Sequence, residues 1–408
     1  MNLAAHSFGP AKKVSASGHS RSFEETWAWV KPKLKRVPIS RVLDVTPLDY
    51  VGLPVWSAVT PLARDLTVHA GKGPTAGAAR LSAVMEGIER VSAETVSPGF
   101  ETRGSFTALG SRAVDPRLFD LPFETRFTPD AVFTWVPAYC LLRDEQRLVA
   151  RDLVATPPSE GVCHGVETNG LASGNTLTEA TLHALYEVLE RDAVSLEHFI
   201  ERHGDAGVHR AHPVRVIDPG TLPDATRVWV EQLGGSGVEV RVQELTCDTN
   251  VPVFAVVLYD AAFPSADGGV AMFAGYGADL DPARAVFRAV TEAVQAHSVV
   301  NLGARDSFEG LREVPVPGAM LERQLELHRP ESLFPFPTAG AQVFDELKAE
   351  LDAVCEQLRR AGLERCLVAD LTRADLEVPV VRVLVPGLAG PYGATQRRPP
   401  ARLLQRLT

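Results

Sequence analysis

The strongest constraint on the fold is a turn that recurs at three places along the 408-residue chain. Each time, an apolar run enters an Asp/Thr turn and leaves through proline and valine into a second apolar run. The first copy is Asp44-Val-Thr46-Pro-Leu-Asp49, followed by Gly52-Leu-Pro54-Val55-Trp56. The second is Thr246-Cys-Asp248-Thr249-Asn250, followed by Val251-Pro252-Val253-Phe254. The third is Asp370-Leu-Thr372-Arg-Ala-Asp375, followed by Val378-Pro379-Val380-Val381. Asp and Thr side chains satisfy turn amides, and proline opens a strand where no ladder donor is required. Each copy therefore predicts a hairpin, and the recurrence predicts a scaffold made by reiterating one unit.

Helical patterns alternate with these hairpins. Phe344, Leu347, Leu351, Val354 and Leu358 form an apolar stripe, with Arg359 and Arg360 in its last turn and Gly362 placed as the residue that ends it. A strand follows from Cys366. Helices beside many hairpins predict a mixed α/β (α+β) class in which antiparallel pairs are flanked by helices. The proline-rich stretch 315–338 is expected to be a surface loop, and residues 1–22 to be loosely ordered.

Three helices carry an unusual set of polar residues, each after a glycine-bearing turn. The first follows Gly71-Lys72-Gly73 and sets Ser82, Glu86 and Glu89 on one face, with Arg90 next. The second follows Gly174-Asn175; Thr176 and Glu179 have capping-box spacing, and Glu187, Glu190 and Arg191 come after them. The third begins at Asp281-Pro282, as an N-cap and first helical residue, and carries Arg284, Arg288, Glu292 and Gln295. Any one of these is expected to be a solvated face. Together they are not, because Glu86 and Glu89 are hemmed by Ala83, Val84, Met85 and Ile88, and like charges so spaced repel unless neutralised. Mg²⁺ takes hard oxygen ligands and bridges carboxylates to phosphates, so a nucleotide–metal site is the better account. Lys72 between two glycines suits a phosphate contact, although the spacing is not that of a Walker loop.

Composition narrows the partners. Forty-one Lys and Arg face 51 Asp and Glu, a net charge of −10, which disfavours nucleic-acid binding and obliges any nucleotide site to supply cations or metal locally. No apolar run approaches a membrane span, and the N-terminus lacks the order of a signal peptide. Five scattered cysteines, Cys140, Cys163, Cys247, Cys355 and Cys366, are odd in number and lack CxxC spacing. That excludes a disulfide scaffold or structural zinc and predicts a reduced, cytoplasmic protein without membrane contact.

The motifs, in their order, resemble the YcaO family. Gly71-Lys72-Gly73 with Ser82-x-x-x-Glu86-x-x-Glu89-Arg90 resembles its first ATP-binding signature. Thr168-Asn169-Gly170-Leu171-Ala172-x-Gly174-Asn175-Thr176-x-x-Glu179 and Glu187-x-x-Glu190-Arg191-Asp192 resemble the second. Arg288-Ala289-x-Thr291-Glu292-Ala293-x-Gln295 resembles the third. The segment from Arg41 to Val55 and the segment Pro379 to Leu388 match further family stretches. The resemblance implies ATP and Mg²⁺ as cofactors and a fold of repeated helix–hairpin units. It implies Glu86, Glu89, Glu179, Glu187, Glu190 and Glu292 as metal ligands. It also implies Lys72, Arg191, Arg288 and Gln295 near the phosphates, Lys13 and Asn175 nearer the nucleoside, and Ser82 and Arg90 as further nucleotide contacts. The expected partition is residues 1–67, with the first hairpin, and an ATP-binding body over 68–408.

The activity so implied is ATP-dependent activation of a peptide-backbone amide oxygen. The nucleophile then decides the product: sulfide gives a thioamide, whereas Cys, Ser or Thr gives an azoline. Azoline-forming members end in a Pro-x-Pro-x-Pro tail; this chain ends in an arginine-rich segment from Arg397 to Thr408, which favours thioamidation with a TfuA-like partner. An azoline-forming cyclodehydratase and a non-catalytic nucleotide-binding scaffold are the alternatives. A peptide or protein substrate and a homodimer are expected. Where the family has Gly-Thr-His-Arg near its N-terminus, this chain has Gly18-His19-Ser20-Arg21. Catalytic residues are not assigned. His164, His183, His198 and His297 are expected to be structural, and Cys163 has no neighbour that would lower its pKa. Arg397, Arg398 and Arg402 are expected to be solvated, with Leu403, Leu404 and Leu407 in a short packed helix.

Overall fold

The computed structural model describes residues 3–14, 18–96, 100–163, 167–260, 271–301, 330, 332–338, 341–390 and 397–405. Most of the expected 315–338 loop lies outside these residues, as does His164.

All three recurring turns are hairpins closed in one way. Thr46 Oγ1 accepts from the Val55 amide at 3.1 Å, Thr246 Oγ1 from Val253 at 3.2 Å, and Thr372 Oγ1 from Val380 at 3.2 Å. The amides of Val45, Leu245 and Leu371 donate in turn to the carbonyls of Val55, Val253 and Val380. Asp44 and Asp370 accept from the Thr46 and Thr372 amides at 3.0 and 2.9 Å. Asp248 does not share that role: its carboxylate binds Arg402 near the C-terminus.

Along the chain come helix α1 (Phe23–Val30), strands β1 (Arg41–Asp44), β2 (Val55–Val59) and β3 (Val68–Lys72), then α2 (Ala76–Ala93). Next are β4 (Thr102–Ser105), α3 (Phe106–Leu109), β5 (Val132–Cys140), β6 (Glu145–Ala150), β7 (Leu171–Ser173) and the long α4 (Leu177–His203). They are followed by α5 (Ala206–Ala211), α6 (Asp224–Gly235), β8 (Glu239–Glu244), β9 (Val253–Asp260), β10 (Ala271–Ala278) and α7 (Pro282–Asn301). The chain finishes with α8 (Leu347–Arg360), β11 (Leu367–Asp370), β12 (Val380–Leu384) and α9 (Ala401–Leu404).

The repeat organises these elements. Sheets β1-β2-β3 and β10-β9-β8 are each a hairpin plus one further strand, antiparallel throughout. In the third sheet the hairpin β11–β12 pairs with β7 on one side and with β5, β4 and β6 on the other. Helices α2, α7 and α4 each directly follow the added strand of their unit, so α4 precedes its own hairpin in the chain. Two glycines bring strand and helix backbones into contact. A Cβ on Gly71 would lie 2.0 Å from Ala83 N, and one on Gly275 would lie 2.0 Å from Ala293 N, so any side chain would push the helix away. Alanines therefore line the helix faces that meet these strands: Ala79, Ala83, Ala289 and Ala293 are fully buried. Thr75, Thr176 and Asp281 cap the three helices through the amides of Ala78, Glu179 and Ala283. Thr176 makes its half of the expected capping box, but the Glu179 carboxylate is drawn elsewhere.

Two expectations about the termini are corrected. The described part of the N-terminal segment is packed: Leu3 and Phe8 are buried, Phe8 stacks on Tyr139, and Lys12 bridges to Glu346 ahead of α8. Arg398 is exposed as expected, but Arg397 and Arg402 are not solvated, because each of the two finds carboxylates distant in sequence. Arg397 pairs with Asp120 and Glu167, and Arg402 pairs with Asp248 and with the fully buried Asp192 of α4. Leu403, 1% exposed, packs beside Phe199 and Ala389 as expected, whereas Leu404 is exposed. Removing one partner of a buried ion pair strands the other. Arg402→Met should therefore cost about 3 kcal/mol of stability, read by denaturant melts, and restoring charge balance with Asp192→Asn should recover part of it.

A second buried network joins the first and second units. His297, fully buried on α7, meets Asp49 Oδ2 at 2.9 Å and Asp260 Oδ2 at 3.0 Å, and Asp49 also accepts from Ser298 Oγ at 2.5 Å. Burial alone would lower the His297 pKa; the two carboxylates outweigh it and raise it. A raised imidazole pKa contributes stability that is complete below the unfolded value and disappears as pH climbs through the folded one. The melting temperature should accordingly fall as pH climbs above about 6.5, and His297→Gln should flatten that slope; an identical slope in the variant would refute the assignment.

Candidate functional site

Helices α2, α4 and α7 turn their polar faces toward one another. Glu86 and Glu89 come from α2, Glu187, Glu190 and Arg191 from α4, Arg288 and Glu292 from α7, and Lys72 from the end of β3. These side chains form one cluster, as their mutual electrostatic influence records.

Two pairs of cations and carboxylates brace it. Lys72 Nζ lies 2.5 Å from Glu292 Oε2, and Arg191 Nη2 lies 3.6 Å from Glu292 Oε1 and 3.7 Å from Glu190 Oε1. Arg90 binds Asp65 at 3.0 Å and stands 3.7 Å from Glu86. Glu86 also accepts from the Ala70 amide, and Gln295 donates to the Ala70 carbonyl, tying α2 and α7 to β3. Glu89 accepts from both the amide and hydroxyl of Ser173 at the end of β7. Ser82 lies half-buried one turn before Glu86.

The balance of charge in the cluster is uneven. Burial pushes Glu89 up to about 8, with Glu86 and Glu187 adding to the push. Burial and then Glu292 push Glu190 up to about 7, and burial raises Glu187 against the pull of Arg191. Glu292 alone goes down, because Lys72 and Arg191 outweigh its burial. A site that holds Glu89, Glu187 and Glu190 above their ordinary range wants more positive charge than its own side chains provide. Conversely, the buried Arg288 Nε has no acceptor among the described residues. Hard oxygen donors short of cation beside a donor short of anion fit a magnesium–polyphosphate group.

Glu179 belongs to a second group. Its carboxylate accepts from the Ser20 amide at 2.9 Å, Ser20 Oγ at 2.5 Å and Asn175 Nδ2 at 3.0 Å, and meets His19 Nδ1 at 3.0 Å. Although burial opposes it, this company, with His183, holds Glu179 far below the usual carboxylate range. The ligand atoms of His19, Glu179 and His183 all lie within 4.8 Å of one another. Burial pushes His183 down to about 3, and its Ser173 contact joins this group to Glu89. Asn175 completes its bonding through Thr26 Oγ1 at 2.8 Å. Lys13 stands apart from both, paired with the buried Glu350, which also accepts from Tyr186 at 2.7 Å and Arg284 at 2.8 Å.

Sequence reasoning therefore placed most of the cluster but missed four members. Ser173 and Asp65 gave no signal. His19 and Ser20 stood in the departure from the family's N-terminal motif, and their folded position at Glu179 shows the segment still reaches the site. His183, expected to be structural, has a ring nitrogen within 4.8 Å of the ligand atoms of His19 and Glu179. Of the others considered, His297 serves the scaffold network. His198 lines a separate cavity between α4 and the β8–β10 sheet, and burial pushes the Cys163 thiol up to about 12.

No described helix is long and apolar enough to cross a membrane. The family model for YcaO cyclodehydratases, described as ATP- and Mg²⁺-binding, matches residues 70–389. An uncharacterized protein of Methanothermobacter thermautotrophicus is 37% identical over 87% of this chain and 91% of its own length. An uncharacterized protein from the tfuA 3′ region of Rhizobium leguminosarum bv. trifolii is 30% identical over 89% of this chain and 87% of its own. Among solved structures, YcaO from Methanopyrus kandleri, bound with AMPPCP and Mg²⁺, superposes with a TM-score of 0.71 at 26% identity, covering 94% of this chain and 96% of that one. A heterocyclase in complex with substrate and cofactor shares the fold at 22% identity and a TM-score of 0.73; this chain spans 55% of it. The fold is thus shared with these structures, and the chain belongs to the YcaO family of ATP- and Mg²⁺-binding proteins.

Proposed function

We propose that this protein activates a peptide-backbone amide with ATP and passes it to sulfide, forming a thioamide. The observation that carries the first half is the cluster of raised carboxylates facing an acceptor-less arginine. In this reading Glu86, Glu89, Glu187 and Glu190 hold Mg²⁺, which supplies neutralisation of phosphate charge when bound. Lys72, Arg191 and Arg288 face the phosphates, where fixed cations stabilise charge as it develops. Glu292, already neutralised by Lys72 and Arg191, positions those two cations. Glu179, Asn175, His19 and Ser20 fix the N-terminal segment over one flank of the site, and Lys13 orders its approach.

The reaction balances as follows. The amide oxygen takes the γ-phosphoryl group of ATP, ADP leaves, hydrosulfide adds to the carbon, and phosphate departs with the original amide oxygen. The C–S and new P–O bonds replace the C–O bond and the β–γ bridge, and the thiol proton leaves on phosphate. A TfuA-like partner as sulfur supplier is supported by the relative from a tfuA region.

Incubation with candidate precursor peptides, sulfide, ATP and the TfuA-like partner should yield phosphate together with a product in which sulfur replaces oxygen. Loss of water instead would identify an azoline-forming cyclodehydratase, and nucleotide binding without turnover on any peptide would identify a scaffold. Glu86→Gln keeps the side-chain shape but removes a hard anionic ligand. It should weaken Mg²⁺-dependent AMPPCP binding at least about tenfold, leaving the melting temperature near that of the parent; calorimetric titration with and without Mg²⁺ reads it.

A further inference from the structure

Behind the carboxylate cluster, on the other side of α4, lies a second polar cavity of about 50 Å³, walled by residues of β12, the loop before β7 and the start of the tail. A water-sized group needs roughly 10–15 Å³ on this measure, so there is room for a few such groups and none for a large side chain. Asp120 and Glu167 line it, but Arg397 pairs with both, and Asp120 also accepts from the Gly390 amide at 2.7 Å. One guanidinium thus serves two carboxylates.

Arg382 is different. Its guanidinium lines the cavity from β12, 5% exposed, with one nitrogen donating to the Glu167 carbonyl at 3.0 Å. The buried Nε has no acceptor among the described residues, and nor does Asn169 Oδ1 on the same wall have a donor. Burial lowers the Arg382 pKa despite the attraction of Glu167 and Glu187, the mark of a cation with too little anionic company. Glu187 feels Arg382 in turn, and the next residue along α4, Val188, forms the cavity wall. The cavity therefore sits one side chain away from the cluster.

We propose that this cavity receives the sulfur nucleophile, held as the hydrosulfide monoanion on the free Nε–H of Arg382. The assignment rests on the thioamidation reading above and names how its second substrate is held. Size and charge choose the occupant. A small monoanion matches the buried, unpaired Nε–H of Arg382, whereas a multiply charged phosphate would meet Asp120 and Glu167 across the same space. Cys163 also lines the cavity, but a thiol pushed up to about 12 by burial and Glu167 stays protonated, so sulfur is held there without a covalent relay.

The test uses the full chain with sodium hydrosulfide as the probe, under anaerobic calorimetry, in the absence of nucleotide. Arg382→Gln should weaken hydrosulfide binding at least about tenfold, the factor carried by one charge-assisted hydrogen bond, with AMPPCP–Mg²⁺ affinity unchanged. Arg382→Lys should restore part of the loss. Cys163→Leu, which fills the space and leaves the arginine in place, should weaken hydrosulfide too and covers the case in which Arg382→Gln does not fold. In crystals soaked with bromide, anomalous signal should mark the cavity of the parent and vanish in the variant. Equal hydrosulfide affinity in parent and variants, or inorganic phosphate displacing bromide from the cavity at lower concentration than hydrosulfide, would overturn the proposal. Because no arm requires turnover, its failure is distinct from failure of the amide-activation reading, which the AMPPCP titration and product analysis address.

Discussion

Four carboxylates held together on two helices set the terms for the rest of this structure. Glu86, Glu89, Glu187 and Glu190 come from α2 and α4, both of which pack against β7, and burial lifts three of them above their normal range. The fold must hold that repulsion rigidly. It does so with strand–helix pairs in backbone contact at Gly71 and Gly275, where no side chain can intervene and neither helix can recede. It also relies on Lys72 and Arg191, which are tethered by Glu292 so that they stay beside the acids without fully neutralising them. The result is a pocket of unmet charge.

That arrangement explains why a chain with a net charge of −10 is suited to a polyanionic ligand. The field of the whole molecule would repel a nucleotide, so attraction has to be local and has to include metal. Among the buried arginine Nε atoms without an acceptor among the described residues are those of Arg288, within the cluster, and Arg382, which lines the second cavity. They lie on α7 and β12, in different repeat units.

Much of this was legible in the linear sequence because the decisive signals are local. Thr46, Thr246 and Thr372 close turns within a few residues of themselves, Asp281 and Pro282 begin a helix, and helical spacing alone puts Glu86 and Glu89 on one face. What escaped depends on partners far along the chain. Arg402 reads as a surface residue until Asp192 is found 210 positions away, and His19 reads as a motif lapse until Glu179 is found 160 away. Asp248 misled for the same reason: its turn looks like the other two, while its carboxylate serves the tail. The insertion of β5 between β4 and β11 likewise has no local signature, because long-range strand pairing is decided by which apolar faces remain to be covered.

The permuted order of the third unit has a consequence for biogenesis. In the first two units hairpin, added strand and helix are made in succession, so each can close as it leaves the ribosome. In the third, β7 and α4 emerge long before β12, the strand with which β7 pairs, and Val380–Arg382 complete that pairing near the end of translation. Until then α4, which carries Glu187, Glu190 and Arg191, has no sheet of its own to rest on. A fragment that stops short of the last hairpin therefore lacks the strand that pairs with β7 and packs against α4.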